Sequence, residues 1–336
     1  MPWNVKQQIV DDIEDSWDKL SLRQCSKPFR SHVDNSPIHF KGLHLTLTFA
    51  QITVKLDVCE GRSLEKIFKL HGNGVQMENT QMNWSSIRNG GDYRKAAVEK
   101  LMGVFTMFPK ARIGELCFKM DSTIQLDFLI PMFVLPPPVV YPNRLYEQDR
   151  QVIFEEMRRI GTRIPTESLF WNIHLNQERV LKVLELCEPT TLATISCEMV
   201  RFVPYSPPLP SMLEFDRIVE TEQWKQAKKV DIKEGKCSAS FEKWKHFDSV
   251  WLSLKGPSEK CKTILETFLN RPSFEYCELY TRNLFDMDGV DEYLNQLDQR
   301  PEPDRAFHKI SIVSPINRNI RFYAIISQGY VFLEKM

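Results

Sequence analysis

The sequence predicts a mixed α/β (α+β) fold, in which a small helical unit at the N-terminus precedes an irregular, curved solenoid of strands and helices. Three patterns predict it. Apolar residues follow helical spacing in the first forty residues, they alternate strictly with polar residues between 43 and 56, and a spaced apolar triplet recurs between residues 113 and 312. A chain of 336 residues with 42% apolar composition can bury a substantial core and hold one to three domains.

The N-terminal unit opens with an apolar stripe. Val5, Ile9 and Ile13 recur every fourth residue, and the chain starts with Pro2 and Trp3. This spacing predicts a short helix with one apolar stripe, and proline is tolerated in its first turn.

A second helix is expected to follow. The capping residues at 15–18 predict that it starts near Asp18, and the loop at 34–37 predicts where it ends. Short helices bury too little surface to be stable alone, so the unit must pack on the next domain or on a partner. The second helix would carry four apolar or aromatic side chains, Leu20, Leu22, Cys25 and Phe29.

This segment resembles the F-box, the motif that binds the Skp adaptor of cullin-based SCF ubiquitin ligases. The pattern M-P-x-x-V-x-x-x-I-x-x-x-I is followed by L-x-L-R-x-C-x-x-x-F-R. It departs from the family where Met1 replaces the leading leucine and where one extra residue lies between Ile13 and Leu20. The resemblance implies that Arg23 is a polar contact at the edge of an apolar docking site. The implied partner-binding residues are Pro2, Val5, Ile9, Ile13, Leu20, Leu22, Arg23 and Phe29.

The residues alone leave an alternative open, in which the N-terminal helices merely cap the main domain. Exposure of the stripe would favour docking, and packing of the stripe on the strands near 43–56 would favour capping.

Residues 39–142 are predicted to be rich in strands. The alternation at 43–47 and 52–56 predicts a hairpin, and two further strands are expected at 64–70 and 75–77. Residues 92–108 predict an amphipathic helix that ends at Pro109. The proline-rich stretch at 135–142 is expected to be a loop between subregions. The expected domains are therefore 1–38, 39–142 and 143–336, the last with its core at about 164–300.

The apolar-x-x-apolar-x-apolar triplet predicts short parallel strands with helices between them. Successive triplets start at 170 and 192, and then at 227, 247 and 274, which is close to the length of about 20–29 residues of leucine-rich-type repeats. Helices are expected at 177–187 and 258–270. Because the asparagine ladder is missing and the gap at 198–226 is long, the solenoid is expected to be irregular and leucine-rich-repeat-like. The triplets are Ile113/Leu116/Phe118, Phe170/Ile173/Leu175, Leu192/Ile195/Cys197, Ala227/Val230/Ile232, Phe247/Val250/Leu252, Phe274/Cys277/Leu279 and Phe307/Ile310/Ile312.

A second resemblance lies in the C-terminal half. The motif Glu-x-Trp-Lys-x-Ala-Lys at 222–228 and the motif Phe-x-x-Trp-x-His-Phe at 241–247 are each followed by a predicted strand. Together they look like the FTH domain, which accompanies the F-box in a family greatly expanded in nematodes. The two resemblances imply a non-enzymatic substrate adaptor of an SCF-type ligase, with an unspecified protein target. The alternative is a protein-interaction module that takes no part in ubiquitination.

Composition and motifs argue against other functions. Acidic and basic residues balance at 44 each, so we expect neither nucleic acid nor membrane as a partner. Lysines interleave with Trp224 and Trp244, but acidic residues are mixed among them, which favours a solvated face. The eight scattered cysteines and the charged start predict an intracellular protein, in the cytoplasm or the nucleus, without a signal peptide.

No motif for chemistry emerges from the sequence. The seven histidines show no helix-spaced pair and no predicted cluster with cysteine, so no metal site, cofactor or catalytic residue is expected. Residues 71–74 predict a plain turn, since a phosphate-binding loop would lead into a helix. Residues 286–289 lack the ligand order of a calcium loop and predict a capping turn before a helix at 290–297.

Overall fold

A computed structural model describes residues 2–48, 51–80, 84–120, 143–172, 177–198, 215–237, 239–254, 260–281, 285–297 and 308–336. The chain forms two compact units, Met1–Ile173 with Lys182–Thr191 and His174–Leu181 with Leu192–Met336. The expected loop at 135–142 lies outside the described residues. None of the helices in the described ranges combines the length and the apolar composition needed to cross a bilayer.

Three helices open the first unit: α1 (Trp3–Asp11), α2 (Ser16–Cys25) and α3 (Lys27–Asp34). The expectation of one helix carrying both Leu20 and Phe29 is wrong, because the chain breaks at Ser26, which is extended with φ −135°. Pro28 explains the break. Inside a continuous helix its ring would clash with the preceding turn, whereas in the first turn of α3 the missing N–H has no cost.

The sheet of the first unit contains a meander of five strands. They are β1 (Ile38–Thr48), β2 (Gln51–Cys59), β3 (Arg62–His71), β4 (Gly74–Asn79) and β5 (Trp84–Arg88). Consecutive strands pair antiparallel, and the predicted hairpin is confirmed, with Leu45 opposite Val54. The predicted plain turn at 71–74 is also confirmed, with Gly72 at φ +54°.

Strands β6 (Ala111–Met120) and β7 (Thr166–Trp171) complete that sheet on the other side of β1. Both pairings, β1 with β6 and β6 with β7, are parallel. In β7 the predicted triplet is in the wrong register, because Leu169 and Trp171 are buried while Phe170 is half-buried. Ile173 and Leu175 lie outside the described residues.

Two long helices belong to this unit. Helix α4 (Tyr93–Met107) confirms the predicted one, with Asp92 as its N-cap, and packs on β2, β3 and β4. Helix α5 (Asn143–Ile160) contacts α4 and was missed by the sequence analysis, although Ile153, Phe154 and Met157 have helical spacing and are buried.

The second unit is built on four parallel strands, β8 (Thr194–Cys197), β9 (Lys229–Cys237), β10 (Ser249–Leu254) and β11 (Tyr276–Thr281). Each triplet residue at these four strands is at most 3% exposed, so the pattern is confirmed here. Helices α7 (Glu222–Gln226), α8 (Cys261–Leu269) and α9 (Val290–Gln296) belong to this unit, whereas the residues of α6 (Gln177–Glu185) are divided between the two units. In chain order, α6 precedes these three helices.

Three C-terminal strands extend this sheet beyond β11, in the order β14, β13, β12. They are β12 (His308–Val313), β13 (Arg321–Ser327) and β14 (Tyr330–Lys335), and every pairing among them and with β11 is antiparallel. The parallel series therefore stops at β11, and the triplet that contains Ile310 and Ile312 does not continue it; Phe307 is not described. The mixed α/β fold is confirmed, while the F-box fold and the solenoid stay predictions.

Candidate docking surface

Helix α1 turns its regularly spaced apolar residues outward. Val5 is 39% exposed and Ile9 is 37% exposed, and Pro2 on the same face is exposed as well. We call these three residues the α1 stripe. The residue of α1 that the chain itself buries completely is Val10, about 100° around the helix from Ile9. Of the predicted stripe, Val5 and Ile9 lie on the outer face of α1, whereas the placement of Ile13 on the same helix is wrong, because α1 ends at Asp11.

The inner face of α1 packs on α3. Trp3, Gln7 and Val10 follow the i, i+4, i+7 spacing of one helix face. The Trp3 ring lies against the His32 ring with 3.6 Å between centroids, and His32 Nδ1 lies 3.2 Å from Gln7 Oε1. Val10 and Val33 are both fully buried. These contacts orient α1 so that the α1 stripe faces solvent.

Helix α2 is the helix that anchors the unit to the sheet. Ser16 Oγ donates to the carbonyl of His39 at 2.8 Å and accepts from the His39 N–H at 3.2 Å. Lys19, which is buried, donates from Nζ to the carbonyl of Pro37 at 3.2 Å. Asp15 caps the helix by accepting from two backbone N–H groups. The contacts by which these helices could cap the sheet are therefore made by α2, and the α1 stripe takes no part in them.

The remaining predicted partner-binding residues lie elsewhere. Leu20 lines an apolar cavity of about 420 Å³ beside Phe40 and Phe108. Arg23 donates from Nε to Asp34 Oδ1 at 2.5 Å, and its guanidinium lies 5.5 Å from the centre of the Phe108 ring. Arg23 is thus engaged within the chain. Ile13, Leu22 and Phe29 are half-buried.

Trp3 is the residue on this surface that the list of partner-binding residues lacks. It remains 59% exposed in spite of its contact with His32. Its place at the start of the helix, next to Pro2, is the sequence signal that could have identified it. Exposed tryptophan is unusual on a monomer surface and is enriched at interface hot spots.

The first unit also contains a cluster of polar side chains that the sequence did not predict, because its residues come from different strands of the sheet. His44 and Cys117 are register partners on parallel strands β1 and β6, so the expectation of no histidine–cysteine cluster is wrong. Donor atoms of His44, Glu115 and Cys117 lie within 4.8 Å of one another, and His44 Nε2 hydrogen-bonds Asp57 Oδ2 at 2.8 Å. Such a set could hold a divalent metal. Burial raises the pKa of the Cys117 thiol to about 12.

The two tryptophans of the C-terminal motifs are core residues of the second unit. Trp224 is fully buried, meets Phe247 edge to face at 5.0 Å and donates from Nε1 to the Lys243 carbonyl at 2.7 Å. Trp244 is also buried and donates to the Ala239 carbonyl. Base stacking needs an exposed ring face, so neither tryptophan can provide it.

His246 and Arg271 connect the same motifs to their neighbours. His246 Nε2 lies 3.0 Å from the Trp224 carbonyl oxygen, and burial lowers the pKa of this imidazole. The Arg271 guanidinium donates to the carbonyls of Lys245, His246 and Phe247 and to the Asp248 carboxylate. The motif residues therefore pack inside this unit and connect its segments.

The lysines around these motifs are largely matched by acidic residues. Lys243 pairs with Glu220 at 2.5 Å, and this pair holds the pKa of the Glu220 carboxyl below its usual value. Similar pairs join Lys225 to Glu222, Lys229 to Glu275 and Lys245 to Glu242. Paired charges of this kind give a solvated face without a strong positive potential.

Comparison with protein families agrees with one of the two resemblances. Residues 153–297 match the model of the FTH domain, and this range includes both tryptophan motifs. No curated protein and no solved structure matches the chain. The match begins after helices α1 to α3, where the F-box stays a prediction. The chain therefore carries an FTH domain at residues 153–297.

Proposed function

We propose that this protein is a non-enzymatic substrate-recognition adaptor of an SCF-type ubiquitin ligase. Helices α1 to α3 act as an F-box that docks a Skp-type adaptor and, through it, a cullin. The FTH domain binds the protein target. The observation that carries the proposal is the partial exposure of Val5 and Ile9, which keep 39% and 37% of their surface accessible to solvent.

An exposed apolar helix face favours binding to a partner, because binding removes apolar surface from water. Burying the surface of Val5 and Ile9 that is still exposed, 39% and 37%, against an apolar groove would contribute about a third of the ~1.5–3 kcal/mol that full burial of such a side chain gives. An amphipathic helix that places its apolar face in a groove is a common mode of recognition. Trp3, at the start of α1 and on the neighbouring face of the helix, would extend such a contact with the part of its ring that is not against His32.

Ubiquitin transfer would take place on other subunits. The adaptor holds its target near the transferring subunit, so it contributes proximity and needs no catalytic residue of its own. Our alternative, a binding module outside ubiquitination whose N-terminal helices cap the main domain, is favoured by one observation, the anchoring of α2 to the backbone of His39 and Pro37.

The experiment is a binding measurement between the purified full-length chain and a Skp-type adaptor. We expect the wild type to bind and the Val5→Asp/Ile9→Asp double variant to lose at least about tenfold in affinity, because each carboxylate would be desolvated in an apolar groove. Both residues are exposed, so the variant should fold normally. Gln8→Asp is the matched control, since it adds a carboxylate to another exposed position of the same helix.

Ile9→Asp/Leu22→Asp then tests whether α2 takes part in the contact. Absence of binding by the wild-type chain would reject the adaptor role and leave the capping alternative. Equal losses for Gln8→Asp and for the stripe variant would mean that binding is not made through the α1 stripe.

A further inference from the structure

Six aromatic side chains lie together on one face of the second unit's sheet. They alternate along their strands with fully buried residues such as Val250, Cys277 and Val331, so they point to the opposite face of the sheet from the core. All six are half-buried or exposed. The aromatic face comprises Trp251 on β10, Tyr276 and Tyr280 on β11, Tyr330 and Phe332 on β14, and Tyr323 on β13.

The rings form a contiguous layer across four neighbouring strands. The centroids of Trp251 and Tyr280 are 5.4 Å apart, and those of Tyr280 and Tyr330 are 4.7 Å apart. Phe332 continues the layer to Tyr276 at 5.6 Å and to Tyr323 at 6.1 Å. Tyr280 is 40% exposed and Tyr323 is 37% exposed, so ring faces are available to a partner.

The Glu278 carboxylate lies at the centre of the aromatic face, and a second one, that of Glu334, lies beside Tyr276 and Tyr323. Glu278 accepts hydrogen bonds from the hydroxyls of Tyr276, Tyr280 and Tyr330, the last two at 2.6 and 3.2 Å. No ion pair to Glu278 forms among the residues that the structure describes. Three neutral donors hold the carboxylate in place but do not cancel its charge.

The environment of the three tyrosine hydroxyls favours their protonated form. Burial and the Glu278 carboxylate raise the pKa values of Tyr276, Tyr280 and Tyr330. The hydroxyls therefore stay protonated at neutral pH and remain hydrogen-bond donors to Glu278. The negative charge of the group resides on the carboxylate.

Beside Glu278 the surface has a depression of about 490 Å³. Its lining includes Trp251, Tyr276, Glu278 and a second acidic residue, Asp231. Lys229 also borders it, but Lys229 Nζ pairs with Glu275 Oε2 at 2.8 Å. The depression thus presents aromatic faces together with negative charge and has room for a long side chain.

We propose that the aromatic face, with Glu278 at its centre, is the target-binding site of the FTH domain and takes an arginine side chain from a protein target. Arginine stacks on tyrosine and tryptophan faces, and its guanidinium can donate a charge-assisted hydrogen bond to Glu278 Oε2, which accepts from Tyr276 alone among the three tyrosines. Guanidinium is also more weakly hydrated than the lysine ammonium group, so it costs less to bury. The inference deepens the proposed function and rests on it only in calling the partner a ubiquitination target.

The test uses the full-length chain and a displayed library of random linear peptides. We expect selection to enrich peptides that contain arginine, and we expect Glu278→Gln to weaken the selected peptides by about fivefold or more, because it removes the charge and keeps the shape. Tyr280→Ala should weaken them as well. Glu242→Gln, which neutralises an exposed carboxylate paired with Lys245, is the matched control and should bind normally.

Three results would overturn the inference: no enrichment, enrichment of acidic or uncharged peptides, and arginine peptides that bind Glu278→Gln as well as the wild type. The thermal unfolding curve of each variant checks that it is folded. Binding of the Skp-type adaptor, measured on the same variants, should not change. A failed peptide selection with intact adaptor binding would reject this site alone, whereas the reverse result would reject the adaptor role alone.

Discussion

Arg271 shows how a single residue of the FTH domain holds several segments. It donates to three successive carbonyls, those of Lys245, His246 and Phe247, and also pairs with Asp248 at 2.6 Å. The segment 245–248 leads into β10, so the guanidinium fixes where that strand begins. Lysine offers a single ammonium group and cannot reproduce this planar set of donors.

We therefore expect Arg271→Lys to lower the free energy of unfolding by about 1–3 kcal/mol, because partly buried carbonyls lose their donors. Urea denaturation monitored by circular dichroism measures the change. Arg318→Lys, at an exposed position, is the control and should change the free energy by less than about 0.5 kcal/mol. A similar small change for Arg271→Lys would show that water replaces the lost donors.

The contact between His44 and Cys117 could not be predicted from local sequence patterns. They are 73 positions apart in the chain (117 − 44), and their contact depends on the parallel pairing of β1 with β6 and on its register. A shift of one residue would send one of the two side chains to the opposite face. Alternation predicts which face a residue takes, but it does not predict which strand lies next to it.

At the scale of elements, the N-cap of α2 supports the proposed docking surface. Asp15 Oδ1 accepts from the N–H of Trp17 at 2.6 Å and from the N–H of Asp18 at 3.2 Å. Asp15→Ala should cost about 1 kcal/mol in the free energy of unfolding, since these donors then lack a capping side chain. Asp12→Ala, an exposed substitution at the C-cap of α1, is the matched control in the same chemical denaturation. Equal effects of the two substitutions would contradict the capping role.

Elements with strong local patterns were predictable, and elements without them were not. The β1–β2 hairpin and helix α4 follow alternation and capping that can be read directly from the residues. Strand β5 was missed because its apolar residues, Trp84 and Ile87, are exposed and do not alternate with buried ones. Apolar and polar residues alternate along a strand when one of its faces is buried. A strand with few buried residues therefore lacks the alternation from which it could be predicted.

The same reasoning explains the uneven outcome for the candidate sites. Helical spacing was sufficient to place Val5 and Ile9 on one face of α1, although it did not predict that the helix ends before Ile13. The aromatic face comes from four strands that are up to about 80 residues apart, and no local pattern distinguishes its tyrosines from other half-buried strand residues. Only the strand order brings Trp251, Glu278 and Tyr330 together.

At the scale of the whole molecule, the eight free cysteines report on both compact units. Cys25 is exposed and Cys59 is half-buried, whereas the other six are buried. Burial raises the pKa of the Cys237 and Cys261 thiols to about 12 and also raises that of Cys187 and Cys277. Because the thiolate is the reactive form, the buried thiols should react only after unfolding.

We expect the native chain at pH 8 to show at most two rapidly reacting thiols with a chromogenic disulfide reagent, and all eight in denaturant. Alkylation at increasing urea, read by mass spectrometry of peptides, separates the units, because Cys117 and Cys187 lie in the first and Cys197, Cys237, Cys261 and Cys277 in the second. Compact units that unfold cooperatively should expose their cysteines as two groups, each with one midpoint.

Cys25 serves as the internal control, since its labelling should not depend on urea. Different midpoints for Cys261 and Cys277 would contradict a cooperative second unit, and rapid labelling of either in the native chain would show that the core behind the aromatic face opens locally.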